Sequence, residues 1–370
     1  MNYNRAPQPQ RYSRRQFLTH ATTATGALAS TALLTSCATG DQTGRPSTKP
    51  SRKPVKAFCI DFNWGDHGAA EPGLFAQADP QEHVRWYQDL GANVIQTFCV
   101  SYNGYAWYPS DVAPVTPGLK HPNFLGDMVK LGHRSGMKVM GYFTLGANPY
   151  WEARHPELVH RDDSDYIKIP FTLEYLDYFC RSVADTLKKV AIDGFMVDWV
   201  RPPQHKNWLP CERDMYRQLL GEKFPTSGSP PKDLVLEFDR RAIERAWRHL
   251  KQTVHATRRV IIWTNHPFVD AEKPLWEGHR LLQEVDWVLN ESPEAAWLDW
   301  LRARVGPKTL IVQNLCGWEG HDASLWRKID PQVFGLYGFA KADAQTTLPT
   351  DKVPANIKNI KLLREAYHSL

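Results

Sequence analysis

The chain has 370 residues, 42% of them hydrophobic and 23% charged, so a packed core is expected, global disorder is excluded, and the length suits one large α/β barrel with appendages. The formal charge of +5 gathers at the N-terminus: residues 1–36 hold Arg5, Arg11, Arg14 and Arg15 and no acid, a charge of +4, and residues 37–56 hold Arg45, Lys49, Arg52, Lys53 and Lys56 against Asp41, another +4. That leaves residues 57–370 at −3, which gives a phosphate-binding surface no electrostatic support and excludes nucleic acid as the expected partner.

The first element in chain order is an address. Ser13-Arg14-Arg15-Gln16-Phe17-Leu18 resembles a twin-arginine export signal, and the weakly apolar run Ala21–Leu34 follows it. Those 14 residues fall short of the roughly 20 that a membrane span needs. The run ends in Leu34-Thr35-Ser36-Cys37, which resembles a bacterial lipobox. There Cys37 would be lipidated and become the first mature residue; the competing reading is a plain cleaved signal with an incidental cysteine. Residues 38–56, rich in Thr, Ser, Pro, Lys and Gly, read as a flexible tether. The expected organisation is a signal over 1–36, a tether over 37–56 and a barrel over 57–370. The expected partners are the twin-arginine export machinery and, through the lipid alone, a membrane of the bacterial cell envelope.

Beyond Cys37, the cysteines are Cys59, Cys99, Cys180, Cys211 and Cys316, without a Cys-x-x-Cys. A protein folded before export, in a reducing compartment, is not expected to form structural disulfides. No zinc-type ligand spacing occurs, and no metal or cofactor is expected.

Eight apolar runs rich in β-branched and aromatic residues then recur: Ala57–Trp64, Asn93–Ser101, Lys138–Gly146, Gly194–Val200, Val260–Asn265, Val285–Asn290, Thr309–Leu315 and Phe334–Ala340. Each is nearly continuous in apolar character, as strands buried on both faces are. Helical patterns alternate with them over Pro80–Leu90, Asn123–Arg134, Thr172–Val190, Phe238–Thr257, Pro293–Val305 and Pro354–His368, with short helices near Glu277–Glu284 and Ala323–Ile329. Asp79 is a good N-cap with Pro80 behind it, and Gly91 a good stop. The count and size predict a (β/α)8 barrel. The rival, a doubly wound open sheet, is disfavoured because Asp61-Phe62-Asn63-Trp64-Gly65 is not a Gly-rich phosphate loop.

In such a barrel the chemistry sits where strands end. The ends supply Asp61, Asn63 and Trp64; Ser101, Tyr102 and Asn103; Asn148, Tyr150 and Trp151; Asp198, Trp199 and Arg201; Asn265 and His266; Asn290 and Glu291; and Gln313 and Asn314, with Trp318 and Glu319 beyond. Amides and carboxylates hydrogen-bond hydroxyls, and indole faces stack on sugar C–H faces, so a neutral polyhydroxylated ligand is expected. Trp64, Trp107, Trp151, Trp199, Trp208 and Trp318 are the candidate sugar platforms. Asp198 closes an apolar strand and must face the barrel mouth or find a buried partner. It reads either as a glycosidase nucleophile, as a structural carboxylate paired with Arg201, or as a ligand contact. Glu291, pinned between a strand end and the Ser292-Pro293 helix start, is the acid/base candidate; Glu319, Glu71 and Asp61 are runners-up, with Asp61 read first as a hydroxyl binder. His266 contacts substrate or fixes the loop before Pro267. A metallohydrolase His-x-His and a serine-hydrolase Gly-x-Ser-x-Gly are both absent.

At these residues the chain resembles the α-L-fucosidase family of glycoside hydrolases and related bacterial barrel glycosidases. Asn63-Trp64-Gly65 is similar to the family's His-Trp-Gly on the first strand, and Asp79-Pro80…Trp86…Leu90-Gly91-Ala92 to its first helix. Ser101-Tyr102-Asn103-Gly104-Tyr105 stands where the family has His-His-Asp-Gly-Phe, and Ser135-Gly136-Met137-Lys138…Gly141-Tyr142-Phe143 resembles its third strand. Ile192–Trp199 resembles the fourth strand, whose last aspartate is the family nucleophile; Asp198 takes that place. The likeness covers about residues 57–200. The family's sugar-binding histidines are here Asn63, Ser101 and Tyr102, and the last strand is followed by one helix rather than a β-sandwich. The resemblance implies a retaining glycosidase, with Asp198 as nucleophile and an oligosaccharide or polysaccharide as substrate. The alternative is a barrel lipoprotein that binds glycans without cleaving them.

Overall fold

Eight parallel strands hydrogen-bond in sequence order and close on themselves. They are β1 (Lys56–Asp61), β2 (Val94–Gln96), β3 (Lys138–Thr144), β4 (Gly194–Asp198), β5 (Ile261–Asn265), β6 (Trp287–Asn290), β7 (Leu310–Asn314) and β8 (Phe334–Lys341). β8 returns to β1 with Lys56–Asp61 beside Leu336–Lys341, so the architecture is a (β/α)8 barrel. The computed structural model describes residues 53–161, 166–205, 207–265, 273–292, 296–318, 320–330, 334–350 and 352–370. Arg14, Arg15, Cys37, His266 and Glu319 lie outside the described residues.

The continuous apolar runs follow from burial on both faces. Ala57, Phe58, Cys59 and Ile60 of β1 are all buried, as are Phe195, Met196 and Val197 of β4. Outward residues meet helices and inward ones fill the barrel, where Trp263 packs edge-on against Trp287 and Tyr337 at 5.4 and 5.3 Å. Cys59, Cys99, Cys180, Cys211 and Cys316 are free thiols.

The helices of five or more residues are α1 (Pro80–Leu90), α2 (Phe124–Arg134), α3 (Leu173–Lys189), α4 (Pro210–Leu220), α5 (Lys232–Thr257), α6 (Arg280–Glu284), α7 (Ala296–Arg302) and α8 (Pro354–Ser369); single turns of helix lie at Pro149–Glu152 and Lys273–Trp276, and a 3₁₀ helix over Ala323–Lys328. α1 begins as its sequence predicts: Asp79 Oδ1 accepts from the Gln81 and Glu82 amides at 2.8 and 3.3 Å. It ends at Gly91, whose φ of 79° is left-handed and favours glycine. α8 seals the bottom of the closure, the Tyr367 hydroxyl donating to the Ala57 carbonyl at 2.8 Å.

Three expectations are corrected in detail. β2 stops at Gln96 rather than Ser101; beyond it the Thr97 and Cys99 amides still donate to the Met140 and Tyr142 carbonyls of β3 at 2.9 and 3.2 Å, and Phe98 stacks on Phe62 at 5.6 Å. The segment 201–236, in which no helix is expected from the sequence, contains α4, with Pro210 in its first turn and left-handed Gly221 at its end. α5 starts at Lys232 rather than Phe238. Among the described residues, no helix is long and apolar enough to cross a membrane.

Candidate active site

Asp198 is the last residue of β4, at the end of the barrel where strands give way to loops. Three donors hold it. The Tyr142 hydroxyl donates to Oδ2 at 2.6 Å, the Trp199 amide to Oδ1 at 2.7 Å, and the Asn265 side-chain amide also to Oδ1. Tyr142 comes from β3 and Asn265 from β5, the two strands that flank β4, so the carboxylate is oriented by both neighbours. Burial pushes its pKa up; the Tyr142 and Trp199 hydrogen bonds, the Arg201 charge and the Asn265 amide work against that push, and the net direction is upward. Trp199 adopts a left-handed backbone, with φ 53°. For a non-glycine residue this costs about 1–2 kcal/mol, and such strain clusters at functional sites.

Asp61 ends β1 and is buried. Its Oδ1 accepts the Asn63 amide at 2.8 Å. Burial raises its carboxyl to about 7; the Asn63 bond opposes this, the Asp198 charge adds to it, and Lys341 at the end of β8 opposes it. The two aspartates therefore feel each other's charge across the mouth. Glu291 joins them: the Tyr337 phenol on β8 is pushed well above its ordinary value by burial first, and then by Cys59, Glu291, Asp61 and Asp198. The charges of three carboxyl groups, from the ends of three strands, thus act on one phenol. The Glu291 backbone carbonyl is fixed by His321 Nε2 at 2.9 Å.

One wall of the mouth is aromatic. Trp64 stacks on Tyr102 with ring centroids 5.6 Å apart, and Trp199 meets Tyr102 at 5.2 Å and Trp64 at 6.0 Å. Tyr166, half-exposed, stands edge-on to Trp64 at 5.2 Å and to Tyr102 at 6.0 Å. Trp64, Tyr102 and Trp199 were expected at the mouth; Tyr166 was not, and neither were Tyr142, Tyr337 and Lys341. An aromatic in an apolar strand looks like packing in sequence, which hides Tyr142 and Tyr337.

Other candidates serve the scaffold. Asn63 Oδ1 accepts the Tyr102 amide at 2.8 Å, which sets the Tyr102 loop rather than facing outward. Asn103 accepts from Ser101 Oγ at 3.0 Å and the Tyr105 amide at 3.2 Å, and donates to the Ala70 carbonyl at 3.2 Å, as a turn residue does. Trp151 is not a platform: it is buried, stacked on His155 at 4.1 Å and edge-on to Tyr175 at 4.9 Å. Trp107 is likewise buried against Phe62 and Phe124, and Trp208 against His205 and Phe238. Trp318 is half-buried on Phe339 at 4.9 Å. Asn314 is buried; its Oδ1 accepts the Cys316 amide at 3.2 Å, and its Nδ2 meets no partner among the described residues. Arg201 is placed by its charge effect on Asp198.

A second cluster joins His160 in the loop after β3 and His205 in the loop after β4 to Glu212 on α4 and Asp239 on α5. His205 Nδ1 is 2.8 Å from Glu212 Oε1 and its Nε2 is 2.7 Å from Asp239 Oδ1, while His160 Nε2 is 3.1 Å from Glu212 Oε1. Burial works to lower the His205 pKa, but Asp239 and Glu212 raise it to about 9. Burial works to raise Glu212, but His160 and His205 hold it down to about 2. These residues are far apart in sequence and match no ligand-spacing motif.

Residues 79–199 match the family described as hypothetical glycosyl hydrolase 6, a segment that runs from the N-cap of α1 through β2, β3 and β4 to Trp199. A comparison with curated proteins finds no match. Among solved structures, α-L-fucosidase isoenzyme 2 from Paenibacillus thiaminolyticus superposes with a TM-score of 0.64 at 16% identity over 85% of this chain. This chain spans about half of that enzyme's length, 49%. The PgaB (BpsB) glycoside hydrolase domain from Bordetella bronchiseptica gives 0.56 at 14% identity, covering 85% of this chain and 98% of that one. The β-galactosidase from the psychrophilic Marinomonas ef1 gives 0.56 at 14% identity, covering 85% and 59%. The barrel is thus one that glycosidases share, and within it residues 79–199 form a glycoside-hydrolase-like segment similar to hypothetical glycosyl hydrolase 6.

Proposed function

We propose that the chain is an exported, lipid-anchored glycoside hydrolase that cleaves a glycosidic bond with retention, using Asp198 as nucleophile and Glu291 as acid/base. The observation that carries this reading is the setting of Asp198: a strand-end carboxylate at the mouth, oriented by Tyr142, Trp199 and Asn265, with Asp61 and Glu291 acting on the same phenol. The glycosyl hydrolase match, which ends one residue past Asp198, supports it.

In the first step Asp198 attacks the anomeric carbon and the bond to the leaving oxygen breaks, with Glu291 giving that oxygen a proton. In the second, water attacks the same carbon, Glu291 takes the water's proton and Asp198 departs as carboxylate. Tyr142 and Asn265 favour the ionised form that must attack. The aromatic wall of Trp64, Tyr102, Tyr166 and Trp199 offers faces to a sugar ring. One observation favours a second assignment of the proton donor: the Asp61 carboxyl is raised to about 7, where a group holds and releases a proton near neutrality. Cys37 supplies the lipid anchor and the Arg14-Arg15 pair the export address.

The test uses an activated aryl glycoside. Asp198→Ala abolishes turnover, because no covalent intermediate forms. Glu291→Ala accumulates the glycosyl-enzyme, and added azide restores turnover as a glycosyl azide because it needs no general base. Azide rescue of Asp61→Ala instead moves the acid/base role to Asp61. A wild type that binds glycans but cleaves none across a broad panel replaces the enzyme with a glycan-binding barrel.

A further inference from the structure

We propose that His160, His205 and Glu212 form a binding site for one divalent ion of the zinc type, separate from the carboxylate mouth, which ties together the long loops after β3 and β4. Their ligand atoms all lie within 4.8 Å of one another. Glu212 Oε1 is 2.8 Å from His205 Nδ1 and 3.1 Å from His160 Nε2. Zinc holds nitrogen and oxygen ligands at about 2.0–2.2 Å in a tetrahedron, which sets neighbouring ligand atoms roughly 3.3–3.5 Å apart. The two separations from Glu212 Oε1 need widen by only a few tenths of an ångström to admit the ion.

Two further features point to a ligand. His160 Nε2 is buried and has no hydrogen-bond partner: it approaches the Glu212 carboxylate without the alignment a hydrogen bond requires. A buried polar nitrogen left this way is costly unless something else takes its lone pair. The surroundings are also those of a metal site. His205 Nε2 is 2.7 Å from Asp239 Oδ1, which directs Nδ1 at Glu212, and Glu212 Oε2 accepts the Leu209 amide at 2.9 Å. A carboxylate behind a ligating histidine fixes its tautomer and orientation in this manner.

A divalent ion would take the lone pairs of His160 Nε2, His205 Nδ1 and Glu212 Oε1, and the proton on His205 Nδ1 would leave to solvent. Surface cavities of about 450 and 460 Å³ flank the cluster, one lined by His160 and the other by His205 and Asp239. His160 lies in the loop after β3, and His205 and Glu212 follow β4, so the ion would fasten the segment after β3 to the segment after β4.

The full chain, stripped with EDTA and given zinc chloride alone, should retain one zinc per chain after gel filtration, by elemental analysis, and melt at a higher temperature than the stripped protein. His160→Ala should lose zinc by about tenfold or more while its far-ultraviolet circular dichroism matches the wild type. Asp239→Asn should still saturate but with roughly 10–100-fold weaker affinity; it keeps the test decisive if His160→Ala fails to fold. A folded, stripped wild type that takes up no zinc from micromolar free metal overturns the proposal. So does zinc bound equally well by the wild type and both variants, which places the metal at other groups.

Discussion

Replacing Tyr142 with phenylalanine removes one oxygen atom and keeps the ring that packs on Phe98 at 5.0 Å. What is lost is the hydroxyl that donates to Asp198 Oδ2 at 2.6 Å. A hydrogen bond to a charged group contributes about 1.5–3 kcal/mol, and about 1.4 kcal/mol corresponds to one pH unit in an ionisation. Tyr142→Phe should therefore move the acid limb of kcat/KM upward by about one to two pH units, because that limb reports the ionisation of the free enzyme's nucleophile. Below the limb the rate falls roughly ten- to a hundredfold, and on the alkaline side it returns toward the wild-type plateau. The assay is a pH–rate profile on an activated aryl glycoside, with melting temperature followed over the same range to show that the variant stays folded. A profile that superimposes on the wild type, or one lowered by the same factor at every pH, refutes the claim that Tyr142 acts by holding Asp198 ionised.

Asp61→Asn tests the other carboxylate through stability. Its pKa is about 7 in the fold against an ordinary 3.8, so the folded state holds the proton more tightly than the unfolded chain does, and the associated stability is complete below about pH 4 and lost as the pH rises through 7. The variant should be more stable than the wild type in urea at pH 8, by at most roughly 4 kcal/mol at about 1.4 kcal/mol per pH unit, with the gain vanishing near pH 3; an equal gain at both would show that ionisation is not the cause. Tyr166→Ala, at a half-exposed position, should raise KM severalfold and leave kcat and melting temperature nearly unchanged; a fall in kcat alone would remove Tyr166 from substrate binding. Cys37→Ala should release the protein from membranes or block its maturation, and Arg14→Lys with Arg15→Lys should strand the precursor in the cytoplasm, as read by fractionation; a soluble mature form of the wild type with an unlipidated N-terminus elsewhere would refute the anchor.

The barrel is legible in the sequence because parallel strands buried on both faces leave continuous apolar runs, and all eight runs carry strands. Strand ends are less legible. The run Asn93–Ser101 stays apolar past Gln96, where β2 ends, so its composition does not mark the end of the strand. α4 hides in a Pro- and Gly-rich segment, although Pro210, Glu212 and Gly221 spell a start and a stop. Asp61 and Asp198 stand out as acids that end apolar strands. Their partners do not: Tyr142 and Tyr337 alternate with core residues, and only closure brings them to the carboxylates. Trp151 and Trp199 both look like platforms, yet burial against His155 and Tyr175 separates the first from the second. His160, His205 and Glu212 meet only because two loops pack against the start of α4.

The pairing of β1 with β8 also dictates when the protein can fold. Lys56–Asp61 cannot complete its ladder until Leu336–Lys341 has been made, and the Tyr367 hydroxyl then reaches back 310 residues to the Ala57 carbonyl. Contacts of such sequence separation are slow to form, because a long loop must close before it is rewarded. During synthesis β1 therefore waits with an open edge, the kind that pairs with stray strands. The interval between translation and ring closure is when this chain is most exposed to aggregation and has most need of a chaperone, and a ribosome-stalled chain ending before β8 should be protease-sensitive throughout β1, whatever the state of its middle strands.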